Sequence, residues 1–403
     1  MTQINGRVRS AILIATAAVL VAAVAVTVYR QYRPAQRDAA AEVPAPAPAP
    51  SQSAPSQSAL PPLPGAPASP DNTDLYAADR PGNLAPAVRG DLRRVYVPNN
   101  ASNTVSVIDP ATFKVLRTVR VARSPQHVVP SWDLRTLWVN SDQGNALTPI
   151  NPLTGQFGRA VPVHDPYNLY FTPDGRYALV MAEAAHRIDF RDPHTMALRA
   201  SLHVPCAGVN HADFSGDGRY LIASCEFSGD LIKVDVPGRK VIATLHLGGR
   251  MPMPQDVKIA PNGRTWYVAD MNSGGIWILD GDKFATPQLL KTGAGAHGLY
   301  VSRDSKYLYV SNRGAGSISV VRFADNTIVA TWQLPGGGSP DMGGISADGK
   351  TLWLSGRYDG VVYAIATADG HLIHKITVGT QPHGLCVWPQ PGRYSLGHTG
   401  ILR

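Results

Sequence analysis

The sequence predicts an all-β fold, a seven-bladed β-propeller of four-stranded blades, and three observations predict it. One phrase recurs seven times: a polar turn, a short β-rich run, a Gly/Asn loop, and two further runs. Aligned on the first run, Val97, Val139, Val180, Ala223, Val268, Val310 and Leu354 stand 42, 41, 43, 45, 42 and 44 residues apart. A period of about 40–45 residues with several strands per unit is the mark of one propeller blade per repeat. Second, no unit of this size can bury its own apolar face, so neighbours must stack and the ring must close. Third, the runs can be counted. Three-strand sets begin near Val95, Thr136, Tyr177, Tyr220, Thr265, Lys306 and Thr351, and inner runs near His127, Asn168, His211, Asp256, Gly298, Met342 and Gly384. The first set has no inner run before it, and the last inner run, residues 384–388, has no set after it. Pairing these two closes the ring through both chain ends and leaves no open sheet edge.

Along the chain, residues 1–9 are a short basic segment, 10–29 an apolar run, 30–93 a linker and lead-in, 94–388 the propeller and 389–403 a tail. The run SAILIATAAVLVAAVAVTVY carries no charge, and at 1.5 Å per residue it matches a bilayer core of about 30 Å. Arg7 and Arg9 precede it and Arg30, Arg33 and Arg37 follow, so charge alone does not orient it. Ala23-Val24-Ala25 also has the small-x-small form of a signal-cleavage site. The expectation is a single uncleaved transmembrane helix with the propeller extracytoplasmic, or a secreted propeller if the segment is cleaved. Residues 39–70 alternate Ala with Pro, which favours polyproline II and a semi-rigid stalk of about 3.1 Å per residue. Hydrophobic content of 44% with 16% charged residues is that of a globular chain. The net charge of +8 is spread without a Lys/Arg block, so nucleic acid is not an expected partner.

Each blade can be read strand by strand. In the sixth unit, residues 306–310 (KYLYV) are β-branched and aromatic, 311–316 (SNRGAG) are turn chemistry, 317–321 (SISVV) alternate, and 327–334 (TIVATWQL) form a third run. Small residues in the inner runs suit strands that line a crowded axis. The stretch VYVPNNASNTVSVID at 95–109 resembles the repeat of the YVTN β-propeller family, with Pro98 where that family often has Thr. PHGL at 382–385 and the Asp-Gly-Arg/Lys turns are similar to the same repeat, and the resemblance covers residues 94–388. It implies the fold. For activity it implies a range: surface-layer proteins, exported YncE-like proteins, and propellers distantly similar to the haem d1 domain of nitrite reductases.

Ligands of propellers meet the axis, because every blade contributes a residue there. The inner runs start at Gln126, Tyr167, Asn210, Gln255, His297, Asp341 and, with one inserted residue, His383; the next positions include His127, Asn168, His211 and Asp256. The candidate ligand-binding set is therefore Gln126, His127, Asn168, Asn210, His211, Gln255, Asp256, His297, Asp341 and His383. Imidazoles with Asp256 or Asp341 suit a metal ion or haem iron. The other reading is repeat structure, which the family resemblance implies, with side chains bonding nearby backbone around a wet tunnel. Blades are expected to stand too far apart for four imidazoles to share one ion. No catalytic residue is assigned: there is no Gly-x-Ser-x-Gly elbow, the oxygen set is thin for calcium, and no Cys-x-x-Cys-His attaches a haem. Glu183 and Glu226 occupy loops that could face the same mouth, and Arg187, Arg313 and Arg357 occupy loops suited to gripping a carboxylate or phosphate. Met251 and Met253 read as loop filler. Cys206 and Cys225 lie at one blade end, where export permits a disulfide that spacing does not settle; Cys386 reads as a buried thiol. The tail reads as a lid or plug. The functional expectation is a membrane-anchored binding module for a protein, cell-envelope or small-molecule partner. The alternative is a cofactor- or metal-binding propeller, haem d1-like or a lactonase-like hydrolase.

Overall fold

The structure, a computed structural model, describes residues 63–398 and 400–403. The segment read as a transmembrane helix, 10–29, lies outside these residues, as does most of the stalk; among the described residues no helix is long and apolar enough to cross a membrane. The described strands form seven sheets, one per blade. Blade 4 shows the pattern: Val209–Phe214 on the axis, then Tyr220–Cys225, Asp230–Asp235 and Lys240–His246 moving outward as an antiparallel meander. Inner strands such as Val209–Phe214 and Pro340–Ile345 are buried at every residue, because neighbouring blades cover both their faces. Outermost strands such as Lys240–His246 and Thr327–Gln333 half-bury alternate residues and expose the rest, the period-two pattern of a half-covered sheet.

The ring closes as counted. Cys386–Trp388 is the inner strand of blade 1 and pairs antiparallel with Arg94–Asn99, in the register Tyr96↔Cys386, Val95↔Val387 and Arg94↔Trp388. A recurrent lock explains the Ser/Thr-x-Asp phrase that ends the inner strands. The hydroxyls of Ser131, Thr172, Ser215, Ser302 and Ser346 each donate to the Asp two residues on, at 2.6 Å. Those aspartates also accept backbone N–H groups of the turn, so these five hairpins are tied by the same side-chain pair. Between blades the core is apolar: Trp353 and Val362 of blade 7 pack on Val95 and Val97 of blade 1, and Phe190 of blade 3 packs with Phe214 and Leu221 of blade 4.

Two stretches differ from the sequence reading. Residues from 63 onward are not stalk. Leu63 is buried with its N–H on the Asp217 carbonyl at 2.7 Å, and the buried Tyr76 hydroxyl donates to the Ile259 carbonyl at 2.7 Å. Leu75, Tyr76 and Val88 supply apolar groups that the bare propeller end leaves room to bury. The tail is not a lid lying on a face. Its strands Ser395–Gly397 and Ile401–Leu402 join the inner edge of blade 3 beyond Asn168–Phe171, making that sheet six-stranded and filling the axis from one end. Only glycine permits the approach: at Gly397, φ is +102° and a Cβ would meet the Leu169 carbonyl oxygen at 2.4 Å.

Candidate functional site: a polar hub on the axis

A regular strand points successive side chains to opposite faces, so adjacent residues should not both reach the axis. Here they do, because the inner strands carry one residue more than their partners near the mouth. The register slips between Pro125 and His127, Val209 and Ala212, Pro254 and Val257, Ala296 and Leu299, and Pro340 and Gly343. Such bulges re-aim side chains. They put Asn210 with His211, Gln255 with Asp256, and Gln126 with His127 into the hub as pairs.

The hub is closer-packed than a tunnel between distant blades. Ring centroids of His127 and His383 are 4.9 Å apart, His127 and His211 5.7 Å, His297 and His383 5.8 Å, and His211 and His297 6.2 Å. The expectation of widely separated imidazoles is therefore wrong, and one physical reason is a glycine packed against an imidazole. Gly384 lets the His127 ring lie on its backbone; a Cβ there would sit 2.0 Å from His127 Cδ2. A fifth imidazole, His398 from the tail, stands 5.2 Å from both His127 and His211. It lies outside the repeat, so no alignment of blades could have found it. Two groups bring three ligand atoms within 4.8 Å of one another: His127, His211 and His398, and His297, Asp341 and His383. Rings this close leave no space between them for a macrocycle.

The amides mostly hold the frame. Asn210 Nδ2 donates to Glu226 Oε2 at 2.7 Å and Glu183 Oε1 at 3.2 Å, while its Oδ1 accepts from the Ser224 hydroxyl at 3.0 Å. Gln126 Nε2 donates to Asp142 Oδ2 at 2.9 Å, and Gln255 Nε2 faces the Met253 carbonyl at 3.4 Å. Asn168 Oδ1 accepts from the Leu169 N–H at 2.9 Å. Asp256 accepts from the N–H groups of Val257 and Leu299, both at 2.9 Å, and its Oδ1 stands 3.7 Å from His398 Nε2. Asp341 differs: both oxygens are buried without a hydrogen bond, although His297 Nδ1 is 3.2 Å away, Arg313 Nε 3.6 Å and His383 Nε2 3.6 Å.

Burial sets the protonation states. It holds His127 down to about 3 and His211, His297, His383 and His398 well below the usual imidazole range, with neighbouring cations and imidazoles adding to it in the last four. The hub imidazoles are therefore neutral. Burial raises Asp256 to about 6 against the pull of Lys258, and raises Asp341 against Arg313 and Arg357. Burial and then Glu226 push Glu183 up to about 8.

The mouth end of the hub is rimmed by the blade loops. Glu183 and Glu226 lie together over Asn210, while Arg313 and Arg357 come from blades 6 and 7. Arg313 donates to Met271 Sδ at 2.7 Å and lies over the Tyr358 ring at 5.6 Å. Arg357 Nη1 is buried without a hydrogen-bond partner among the described residues. Arg187 is not part of this rim; its Nε is bound to Asp189 at 2.8 Å. Met251 is 75% exposed in its loop. Cys206 and Cys225 form a disulfide in blade 4 just before the Glu226 loop, and Cys386 is a buried free thiol.

The model of the YncE-like β-propeller family matches residues 84–391. The chain belongs to that family. No curated protein matches its sequence. Among solved structures it is similar to a hydrazine synthase of Kuenenia stuttgartiensis, 19% identical, covering 72% of this chain and 97% of that one with a TM-score of 0.58. It is also similar to the dihydro-heme d1 dehydrogenase NirN in complex with DHE, 15% identical, over 76% and 77% of the two chains at a TM-score of 0.57. A functionally unknown protein from Desulfotomaculum acetoxidans is 15% identical over 73% and 99%, with a TM-score of 0.61. At these identities the YncE-like chain shares a fold with its neighbours, and its own side chains must supply the functional argument.

Proposed function

We propose that this YncE-like propeller is an extracytoplasmic binding module, held at the membrane by residues 10–29 on the Pro/Ala stalk, whose mouth takes the anionic end of a small molecule or cell-envelope component. The observation that carries this reading is the arginine side of the rim. Arg357 Nη1 is buried and unpaired, and Arg313 Nε has only the misaligned Asp341 carboxylate at 3.6 Å. A buried guanidinium donor without an acceptor costs free energy that a carboxylate or phosphate oxygen recovers. The neutral imidazoles of His297 and His383 lie beneath, able to donate or accept, and Glu183 and Glu226 across the rim suit a hydroxyl or amine on the same ligand. Calorimetric titration with carboxylates, phosphates and envelope-polymer fragments tests it. Arg357→Ala should weaken the best ligand roughly 10–100-fold, the worth of one charge-assisted hydrogen bond. His297→Gln combined with His383→Gln should abolish binding with little change in melting. Unchanged affinity in Arg357→Ala would defeat the proposal.

A further inference from the structure

Below the rim the hub has a second layer, built from different residues and closed to the mouth ligand by the first. Three imidazoles converge there. His127 and His211 have no exposed surface and His398 has 1%. Each has an Nε2 that is buried without a hydrogen bond among the described residues. A structural histidine lining a repeat uses both ring nitrogens or leaves one in water. Here the backbone and amide contacts engage Nδ1 only, and the three Nε2 atoms have no hydrogen bond, His398 Nε2 standing 3.7 Å from Asp256 Oδ1.

The shells behind two of the rings make Nε2 a lone pair. His127 Nδ1–H donates to the Tyr167 carbonyl at 3.0 Å, which leaves Nε2 unprotonated in the neutral ring. His211 Nδ1–H donates to Asn210 Oδ1 at 3.0 Å, and Asn210 is itself anchored on Glu183 and Glu226, so a carboxylate–amide–imidazole chain orients this ring. His398 Nδ1 is 3.0 Å from the Asn168 side-chain amide. The Asn168 oxygen is held by the Leu169 N–H at 2.9 Å, so Nδ2 donates to His398 Nδ1 and the neutral third ring carries its proton on Nε2, which an ion displaces as the Asn168 amide turns over. The tail brings it there: its strand adds to blade 3 through Gly397, and His398 follows at φ +49°, a left-handed conformation that a non-glycine residue adopts at a cost.

We propose that His127, His211 and His398 form a binding site for one late first-row transition ion of the zinc or copper class. Three imidazole nitrogens, with the Asp256 carboxylate 3.7 Å from His398 Nε2, suit such ions better than magnesium or calcium, which prefer an all-oxygen shell. The ligand atoms lie within 4.8 Å of one another. Three nitrogens around one tetrahedral ion at 2.0–2.1 Å stand about 3.3 Å apart, so small side-chain rotations bring the rings onto it. The His383 ring lies beside the triad, 4.9 Å from His127. The triad of His297, Asp341 and His383 is the weaker candidate, because Arg313 already lies beside its carboxylate at 3.6 Å. Since one ligand comes from the C-terminal tail, the ion would also fasten the plug to the ring. This site does not depend on the mouth ligand, and its test reads metal rather than anion binding.

The test uses the full chain, purified in detergent, stripped with a chelator and dialysed against cobalt(II), zinc(II) or copper(II) in turn. Elemental analysis after gel filtration should find one ion per chain, and cobalt(II) should give the intense visible bands of a low-coordinate nitrogen site. His398→Gln and His211→Gln should each weaken retention at least about 100-fold, more than loss of an outer-shell partner does, and change the cobalt spectrum. Metal should raise the melting temperature of the parent protein and not of His398→Gln, whose side chain belongs to no repeat strand, so a folding defect in the blade variants cannot mask the result. Failure of the parent protein to retain any of the three ions would overturn the inference. So would retention that survives in His398→Gln and disappears in His297→Gln with His383→Gln, which places the ion on the other triad.

Discussion

At the residue scale, burial has put carboxyl groups where they resist ionising, and Glu183 shows the consequence. Its folded-state value, about 8, lies above the ordinary 4.5, because burial and the neighbouring Glu226 both oppose the charged form. A group raised in this way contributes stability that is fully present below pH 4.5 and is lost as pH rises through 8. Glu183→Gln keeps the bond to Asn210 without the charge. It should therefore melt like the parent protein below pH 4.5 and a few degrees higher above pH 8. Thermal melts across that range decide it; equal melting at both ends would show that Glu183 ionises freely in the folded protein. The position of Glu183 just after a strand was visible in the sequence. Its partnership with Glu226 through one amide was not, because Asn210 reaches Glu183 only across a blade boundary.

At the scale of elements, the mouth is only as well placed as the blade ends that carry it. The Cys206–Cys225 bond ties the approach to the inner strand of blade 4 to the end of the next strand, one residue before Glu226. Its sequence separation is 19. Closing a loop of that length removes enough unfolded-state freedom to stabilise by about 3 kcal/mol. Cys206→Ser with Cys225→Ser should lose about that much in urea unfolding, and Arg357→Ala in the same background should cost no more ligand affinity than it does alone. A loss near zero would mean that strand pairing alone holds this blade end. Sequence spacing had left the bond open, because two cysteines near one blade end need the register Val209↔Cys225 before their distance is known. The bulges are the same kind of fact. Runs such as residues 254–259 read as ordinary strands, and the extra residue appears only when each is laid against its neighbour.

At the scale of the whole molecule, the ring is one cooperative body because its first and last strands share a sheet. Deleting residues 382–403 would strip blade 1 of Cys386–Trp388 and leave Arg94–Asn99 as an open edge, and it would also withdraw the tail from blade 3. The expected result is loss of the single sharp unfolding transition, with aggregation through the exposed edges, rather than a slightly less stable monomer. A truncated chain with one sharp transition would show that six blades and a partial sheet suffice. The number of blades, their strand order and the closure through both ends were determined by the sequence alone, since a period of 41 to 45 residues and two orphan runs admit one circular arrangement. The ring positions were legible too, because each blade enters the axis at the same phase of the repeat. What only the tertiary structure decided is how near those positions come to one another, and that His398 joins them. Distance across an axis is set by bulges, by glycines such as Gly384 and by a tail outside the repeat, none of which periodicity encodes.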